Sequence, residues 1–180
     1  MKLRKGSQDA TGLTFGIVAS KFNKFVTSRL LTECVKALTK AGVTDEAIEV
    51  VRVPGAFEIP LVARQLARSG RFDAVICLGA VIRGDTPHFE YISTEVSRGI
   101  LQASMDSNIP VIFGVLTTDT VAQAIERADP EKLNRGADVA KTAIEMVNVM
   151  RLFKKEGSGE APQPATPSRR AGRSAARPKR

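Results

Sequence analysis

The 180-residue chain has no tryptophan, one tyrosine, one histidine and two cysteines. Each scarcity narrows the chemistry. Cys34 and Cys77 fall in separate apolar patterns with no C-x-x-C spacing, which argues against a disulfide framework and for two buried free thiols. A lone histidine, with no second histidine or carboxylate at ligand spacing, makes no metal motif, and no cofactor is expected. Neither G-x-x-x-x-G-K-[ST] nor the dinucleotide-binding glycine fingerprint occurs, so a nucleotide cradle is disfavoured. No apolar run approaches the roughly 20 residues that cross a bilayer. The start, MKLRKGSQDATG, has no apolar h-region of a secretory leader. These features imply a cytoplasmic protein without a membrane partner.

Acidic charge is also short: 27 Lys/Arg face 19 Asp/Glu, a net charge of +8. The excess is local. Residues 151–180 hold nine Lys/Arg and two Glu, a balance of +7, whereas residues 1–150 hold eighteen and seventeen, a balance of +1. A nucleic-acid-binding face on the folded part is therefore not implied. The end of the chain is rich in Pro, Gly, Ser, Ala and Arg and lacks aromatics, so it cannot bury enough apolar surface to offset its ordering entropy. Residues 156–180 read as a disordered basic tail, residues 1–11 as a flexible lead, and residues 12–155 as one domain.

Within that domain, short Val/Ile-rich runs alternate with helical periodicity. The strands are Leu13–Ala19, Ile48–Val53, Ala74–Ala80 and Val111–Leu116. Apolar residues at helical spacing follow each: Val26 to Leu38 with Gly42 as a stop, Leu61 to Ala67, and Ile92 to Met105. A short helix capped by Asp119 ends near Ala128, and a last helix runs through Ala140, Ile144 and Val147 to Phe153. Pro60 fits only the first turn of the second helix. The alternation predicts an α/β fold, a three-layer α/β/α sandwich around a four-stranded parallel sheet. So small a sheet has two exposed edges, which association with other subunits would cover.

Ligands of open parallel sheets bind beyond the carboxyl ends of the strands. Four joints lie there: SKFN (20–23), VPGAFE (53–58), AVIRGDTPH (80–88) and GVLTTD (114–119). Phe22 and Phe57 either pack or offer rings for a flat ligand. Gly84-Asp85-Thr86 is either a plain turn or a phosphate site at a helix start. Arg83-Gly84-Asp85 spells an adhesion tripeptide, which chance explains in a cytoplasmic chain. His88 is either a surface or capping residue or a proton donor and acceptor near pH 7. No serine or cysteine partner supports a nucleophilic triad.

The motifs FGIVASKFN, VRVPGAFEIP, GAVIRGDTPHFEYISTEVSRGI, PVIFGVLTTDT and AIERA, in this order across about residues 12–150, resemble the lumazine synthase family of riboflavin biosynthesis. The resemblance implies a flavodoxin-like sheet and a homo-oligomer, either a pentamer or an icosahedral assembly of pentamers. It implies condensation of an aminouracil bearing a ribityl chain with dihydroxybutanone phosphate, without metal or cofactor. By matching positions, Phe22 stacks on the pyrimidine, and Ala56, Phe57 and Glu58 line the ribityl and ring pocket. Ala80, Val81 and Ile82 contact the pyrimidine from the third strand. Asp85 and Thr86 hold the phosphate. Arg127 and Phe113 complete the pocket from a neighbouring subunit, and His88 moves the proton. Association with riboflavin synthase follows from the same resemblance.

The chain departs from the family pattern in two places. Arg135, an auxiliary candidate, stands where many relatives have Lys. The stretch Asp129-Pro130-Glu131-Lys132-Leu133 lacks the glycine- and lysine-rich turn of shell-forming relatives. The basic tail has no family counterpart, and its composition would suit non-specific contact with RNA. A rival of another class keeps the fold as a non-enzymatic scaffold with the tail as an interaction arm. The intact GDTPHFE loop and Arg127 oppose it.

Overall fold

A computed structural model describes residues 1–157, with side chains described through Phe153. Four parallel strands alternate with five helices. These are β1 (Phe15–Ser20), α1 (Lys24–Lys40), β2 (Ile48–Val53), α2 (Ile59–Arg68), β3 (Ala74–Ile82), α3 (His88–Ser107), β4 (Val111–Thr118), α4 (Val121–Ala128) and α5 (Arg135–Gly157). The sheet order is β2-β1-β3-β4. The chain leaves β1 toward β2 on one side and later returns to place β3 on the other, so the switch point lies between β1 and β3.

The central strands β1 and β3 are almost wholly apolar because both of their faces are covered. Phe15, Ile17 and Ala19 of β1 and Ile76 and Leu78 of β3 meet α1, α4 and α5 in one core. Val18, Val75 and Cys77 face α2 and α3 in the other. Burying each large side chain of this kind contributes about 1.5–3 kcal/mol relative to exposure. The edge strand β2 is only half covered, and Val50 stays exposed.

Local chemistry sets the helix ends. Gly42 ends α1 at φ 98, the left-handed conformation expected of its stop position. Pro60 sits in the first turn of α2. Gly136 brings α5 against α1: a Cβ there would lie 2.5 Å from the Leu30 carbonyl oxygen. One expected cap is corrected. Thr120, not Asp119, caps α4, its hydroxyl accepting from the Gln123 N–H at 3.2 Å. Asp119 is drawn away by Arg83. β3 and β4 both run two residues past their expected ends, because they keep pairing through Ile82 and Thr118.

Residues at the start of the chain, expected within a flexible lead, lie along α5. Asn148 Nδ2 donates to the carbonyls of Ser7 and Asp9, and Ala10 is buried. The basic tail expected from residue 156 lies outside the described residues, apart from Glu156 and Gly157 at the end of α5. Among the described residues no helix is long and apolar enough to cross a membrane.

Both cysteines are free and buried. Burial pushes the Cys34 thiol up to about 12 and the Cys77 thiol higher still. Neither is a thiolate at neutral pH, so a chromogenic disulfide reagent should leave both unreacted in the folded protein and titrate two thiols in denaturant. Rapid native labelling would contradict this packing.

Candidate active site

Three joints at the carboxyl edge of the sheet are stitched together by hydrogen bonds. Lys21 N–H donates to the Val53 carbonyl at 2.8 Å and Phe22 N–H to that of Pro54 at 3.0 Å. These bonds extend the β1–β2 pairing into the loops. Asn23 adopts a left-handed conformation (φ 54), and its Nδ2 donates to the Ala80 carbonyl at 2.9 Å. The turn after β1 is thus tied to β2 on one side and to β3 on the other. Phe22, 70% exposed, and Phe57, 56% exposed, are left as uncovered rings on this edge. Glu58 is partly committed, because its Oε2 accepts from the Gly55 N–H at 2.8 Å and closes the turn that carries Ala56 and Phe57.

β3 outruns β1. The β1–β3 register ends at Ala19↔Leu78, while β3–β4 pairing continues to Ile82↔Thr118. Alternate residues of a parallel strand turn their backbone groups to the same neighbour. Ala80 directs its carbonyl toward the β1 side, so the N–H and C=O of Ile82 face that side too, where β1 has no residue left to pair. A flat heterocycle with donors and acceptors on its rim fits such an edge.

Arg83, Gly84, Asp85, Thr86 and Pro87 lead from β3 to α3, whose first residue is His88. Asp85, Thr86 and His88 are exposed, and their side chains bond to no other described residue. Arg83 is heavily engaged. Its Nε donates to Asp119 Oδ1 at 2.7 Å, its Nη1 donates to Glu90, and its guanidinium lies 4.3 Å from the centre of the Phe89 ring. The Arg83 bond holds the Glu90 carboxyl below the usual carboxylate range. Asp119 first, then Glu90, raise Arg83 further above its own. Glu90 therefore stays ionised at neutral pH and releases Arg83 only in acid.

The remaining candidates lie elsewhere on the protomer. Phe113 pairs with Cys77 in mid-sheet on the edge strand β4 and is 43% exposed. It lines a cavity of about 190 Å³ together with Arg135, Asp138 and Thr142. Arg135 bonds Asp138 at 3.2 Å. Arg127, on the last turn of α4, donates one Nη1 bond at 3.3 Å to the Gln123 carbonyl of its own helix, and no described carboxylate pairs with it. One protomer thus gathers Phe22, Ala56–Glu58, Ala80–Ile82, Asp85, Thr86 and His88, and carries Phe113, Arg127 and Arg135 on its β4 side. A cavity of about 570 Å³ lies at the opposite sheet edge by Thr14, Arg71, Asp73 and Asp106. Its charges are internally paired: Arg71 with Glu49, Arg151 with Asp73, and Arg64 and Arg68 with Asp106. Among the described residues no cluster of three or more His, Cys, Asp or Glu could hold a metal ion.

The family model for 6,7-dimethyl-8-ribityllumazine synthase matches residues 12–151, which include every one of these positions. The chain belongs to the 6,7-dimethyl-8-ribityllumazine synthase family. A 6,7-dimethyl-8-ribityllumazine synthase of Syntrophus aciditrophicus (strain SB) is 60% identical over 147 residues, 82% of this chain and 96% of the relative. One of Desulfatibacillum aliphaticivorans is 54% identical over 153 residues, 85% of this chain and 99% of the relative. The family match covers all four of the loops that the sequence left ambiguous. It leaves Asn23 and Arg83 as residues that the sequence reading did not single out. Asn23 carried a faint signal, an Asn directly before a helix after a strand. Arg83 carried none beyond its tripeptide.

Proposed function

We propose that the crevice between the carboxyl ends of β1 and β3 is the site of the lumazine synthase reaction. The chain condenses 5-amino-6-(D-ribitylamino)uracil with 3,4-dihydroxy-2-butanone 4-phosphate to 6,7-dimethyl-8-ribityllumazine, phosphate and water, the penultimate step of riboflavin biosynthesis. The observation that carries the site assignment is the unpaired end of β3 beside the exposed Phe22, next to the turn that leads to His88. Phe22 stacks the pyrimidine, and Ala80, Val81 and Ile82 at the end of β3 contact its rim, with the backbone groups of Ile82 open to it. Ala56, Phe57 and Glu58 line the ribityl side. The Asp85–Thr86 backbone and the free N–H groups at the start of α3 take the phosphate. Arg127 supplies the fork that a leaving phosphate needs.

Amine attack on the ketone gives a carbinolamine and then an imine. Phosphate elimination and ring closure follow. Each step moves a proton and none requires a protein nucleophile. Holding both substrates together supplies much of the rate, and His88 serves as the acid–base group. Purified protein should form the lumazine from the two substrates alone, followed by its absorbance. No product from folded, assembled protein would refute the assignment.

The site closes between copies. Phe113 and Arg127 belong to the pocket of a neighbouring subunit in a homo-oligomer, a pentamer or a shell of pentamers, with Arg135 beside Phe113. The exposed Phe113 on an edge strand and the exposed Val121 and Ile125 on α4 support this. The protein acts in the cytoplasm, and riboflavin synthase, which consumes the product, is its candidate partner. Co-purification of the two from a lysate tests that association.

The +7 balance of residues 151–180, repeated around a ring, makes a multivalent cationic surface. Such a surface binds RNA without sequence preference, and binding weakens steeply with salt. Truncation after Lys155 should leave turnover and assembly unchanged and abolish RNA co-purifying at low salt. RNA retained by the truncated protein would place binding elsewhere, and lost assembly would make the tail structural.

A further inference from the structure

We propose that Arg83 is a positioning residue that sets the geometry of the phosphate turn and of His88. The proposal rests on the placing of the phosphate and of His88 given above. Arg83 stands at the start of the turn, and its side chain reaches across to the far end. Its backbone N–H donates to the Thr118 carbonyl at 2.9 Å, which carries the β3–β4 pairing one step past Ile82. The guanidinium covers the face of Phe89 and bonds Glu90, the two residues directly after His88. It also bonds Asp119, at the joint between β4 and α4. The four residues between, Gly84 to Pro87, have almost no other tether. Among the described residues, the only backbone bond joining the turn to its surroundings is that from Glu90 N–H to the Pro87 carbonyl.

A single exposed ion pair would add little. Here one planar fork spans two carboxylates and a ring, a geometry that lysine's point charge cannot copy. With both carboxylates engaged, Arg83 is not itself poised to take the phosphate. Its charge matters in another way. Without it, Glu90 and Asp119 would stand as two unpaired carboxylates beside the place where a phosphate dianion binds, and would repel it. Asp119 also lies directly before the cap of α4, the helix that carries Arg127. The clamp therefore joins the half-site a protomer keeps to the half-site it lends.

Positioning and neutralisation separate in the assembled enzyme. Arg83→Met should raise both the KM for the phosphorylated substrate and the inhibition constant of inorganic phosphate about tenfold. It should lower kcat roughly tenfold through a misplaced His88, with the KM for the uracil within about twofold. Arg83→Lys should restore phosphate affinity but not kcat. Glu90→Gln with Asp119→Asn, in the Arg83→Met background, should do the same by removing the repulsion. Equal shifts in both KM values, unchanged kinetics with only a lower Tm, or full recovery of kcat in Arg83→Lys would each overturn the proposal. Should Arg83→Met not assemble, Arg83→Lys and the Glu90→Gln/Asp119→Asn pair alone still decide, since each must lower kcat if the clamp positions His88. Wild-type phosphate inhibition and turnover, measured alongside, separate the two levels: their absence refutes the site assignment, whereas their presence with unaltered variants refutes only the clamp.

Discussion

Arg127→Ala is expected to raise the KM for the phosphorylated substrate by roughly 10–100-fold while sparing the uracil. The magnitude follows from the chemistry. Charge-assisted hydrogen bonds to a phosphate are worth about 1.5–3 kcal/mol, and each 1.4 kcal/mol is tenfold in affinity. Arg127 is half-buried and donates one weak bond to its own helix, leaving the rest of its fork free for an anion. If the site is shared, the defect can be complemented. A Phe22→Ala protomer still lends a sound Arg127, and an Arg127→Ala protomer still keeps a sound Phe22. Co-refolding the two should therefore restore part of the activity that each lacks alone, since some interfaces in mixed rings contain both intact residues. Verified mixing without recovery would place Arg127 in the pocket of its own protomer, or in none. A uracil KM raised as much as that of the phosphorylated substrate would remove Arg127 from the phosphate altogether.

The elements of this fold were legible because their signals are local. Val18 and Val75 face one layer and Ile17 and Ile76 the other, so the residues of the two central strands had to be apolar and their runs stood out. Gly42 and Pro60 marked helix ends through backbone constraints that do not depend on the rest of the chain. Asp119 was misread for the opposite reason. An acid before a helix is a good cap by local rules, but Arg83, thirty-six residues away, holds its carboxylate, and the neighbouring Thr120 caps instead. No pattern along the chain announces such a pairing. The same holds for Asn23, whose left-handed backbone and bond to Ala80 exist only once β1 and β3 are neighbours. The two-residue overrun of β3 likewise depends on β4 supplying Thr117 and Thr118 as partners. Phe22, Phe57 and His88 could be placed at the sheet edge from strand order. The roles proposed for them needed the whole motif set, because each residue alone fits a surface position equally well.

His88→Ala should lower turnover by roughly 10–10³-fold with the assembly intact. The residue begins α3 and its side chain bonds to no other described residue, so its removal leaves no buried partner unpaired and no cavity. Loss of activity therefore cannot be charged to loss of fold. The position suits the chemistry: the imidazole stands two residues beyond Thr86, beside the turn assigned to the phosphate whose departure requires proton transfer on the adjacent carbons. The range starts low because water can carry some of these protons and the aligned substrates retain much of their advantage. The KM values for both substrates should move little, which separates this variant from Arg127→Ala and from Arg83→Met. His88→Gln, which keeps a donor but cannot exchange a proton at neutral pH, should be nearly as slow as alanine. Added imidazole should recover part of the alanine variant's rate and less of the glutamine variant's. If His88→Gln turns over like the wild type, the side chain serves only as a hydrogen-bond donor and the proton moves by another route.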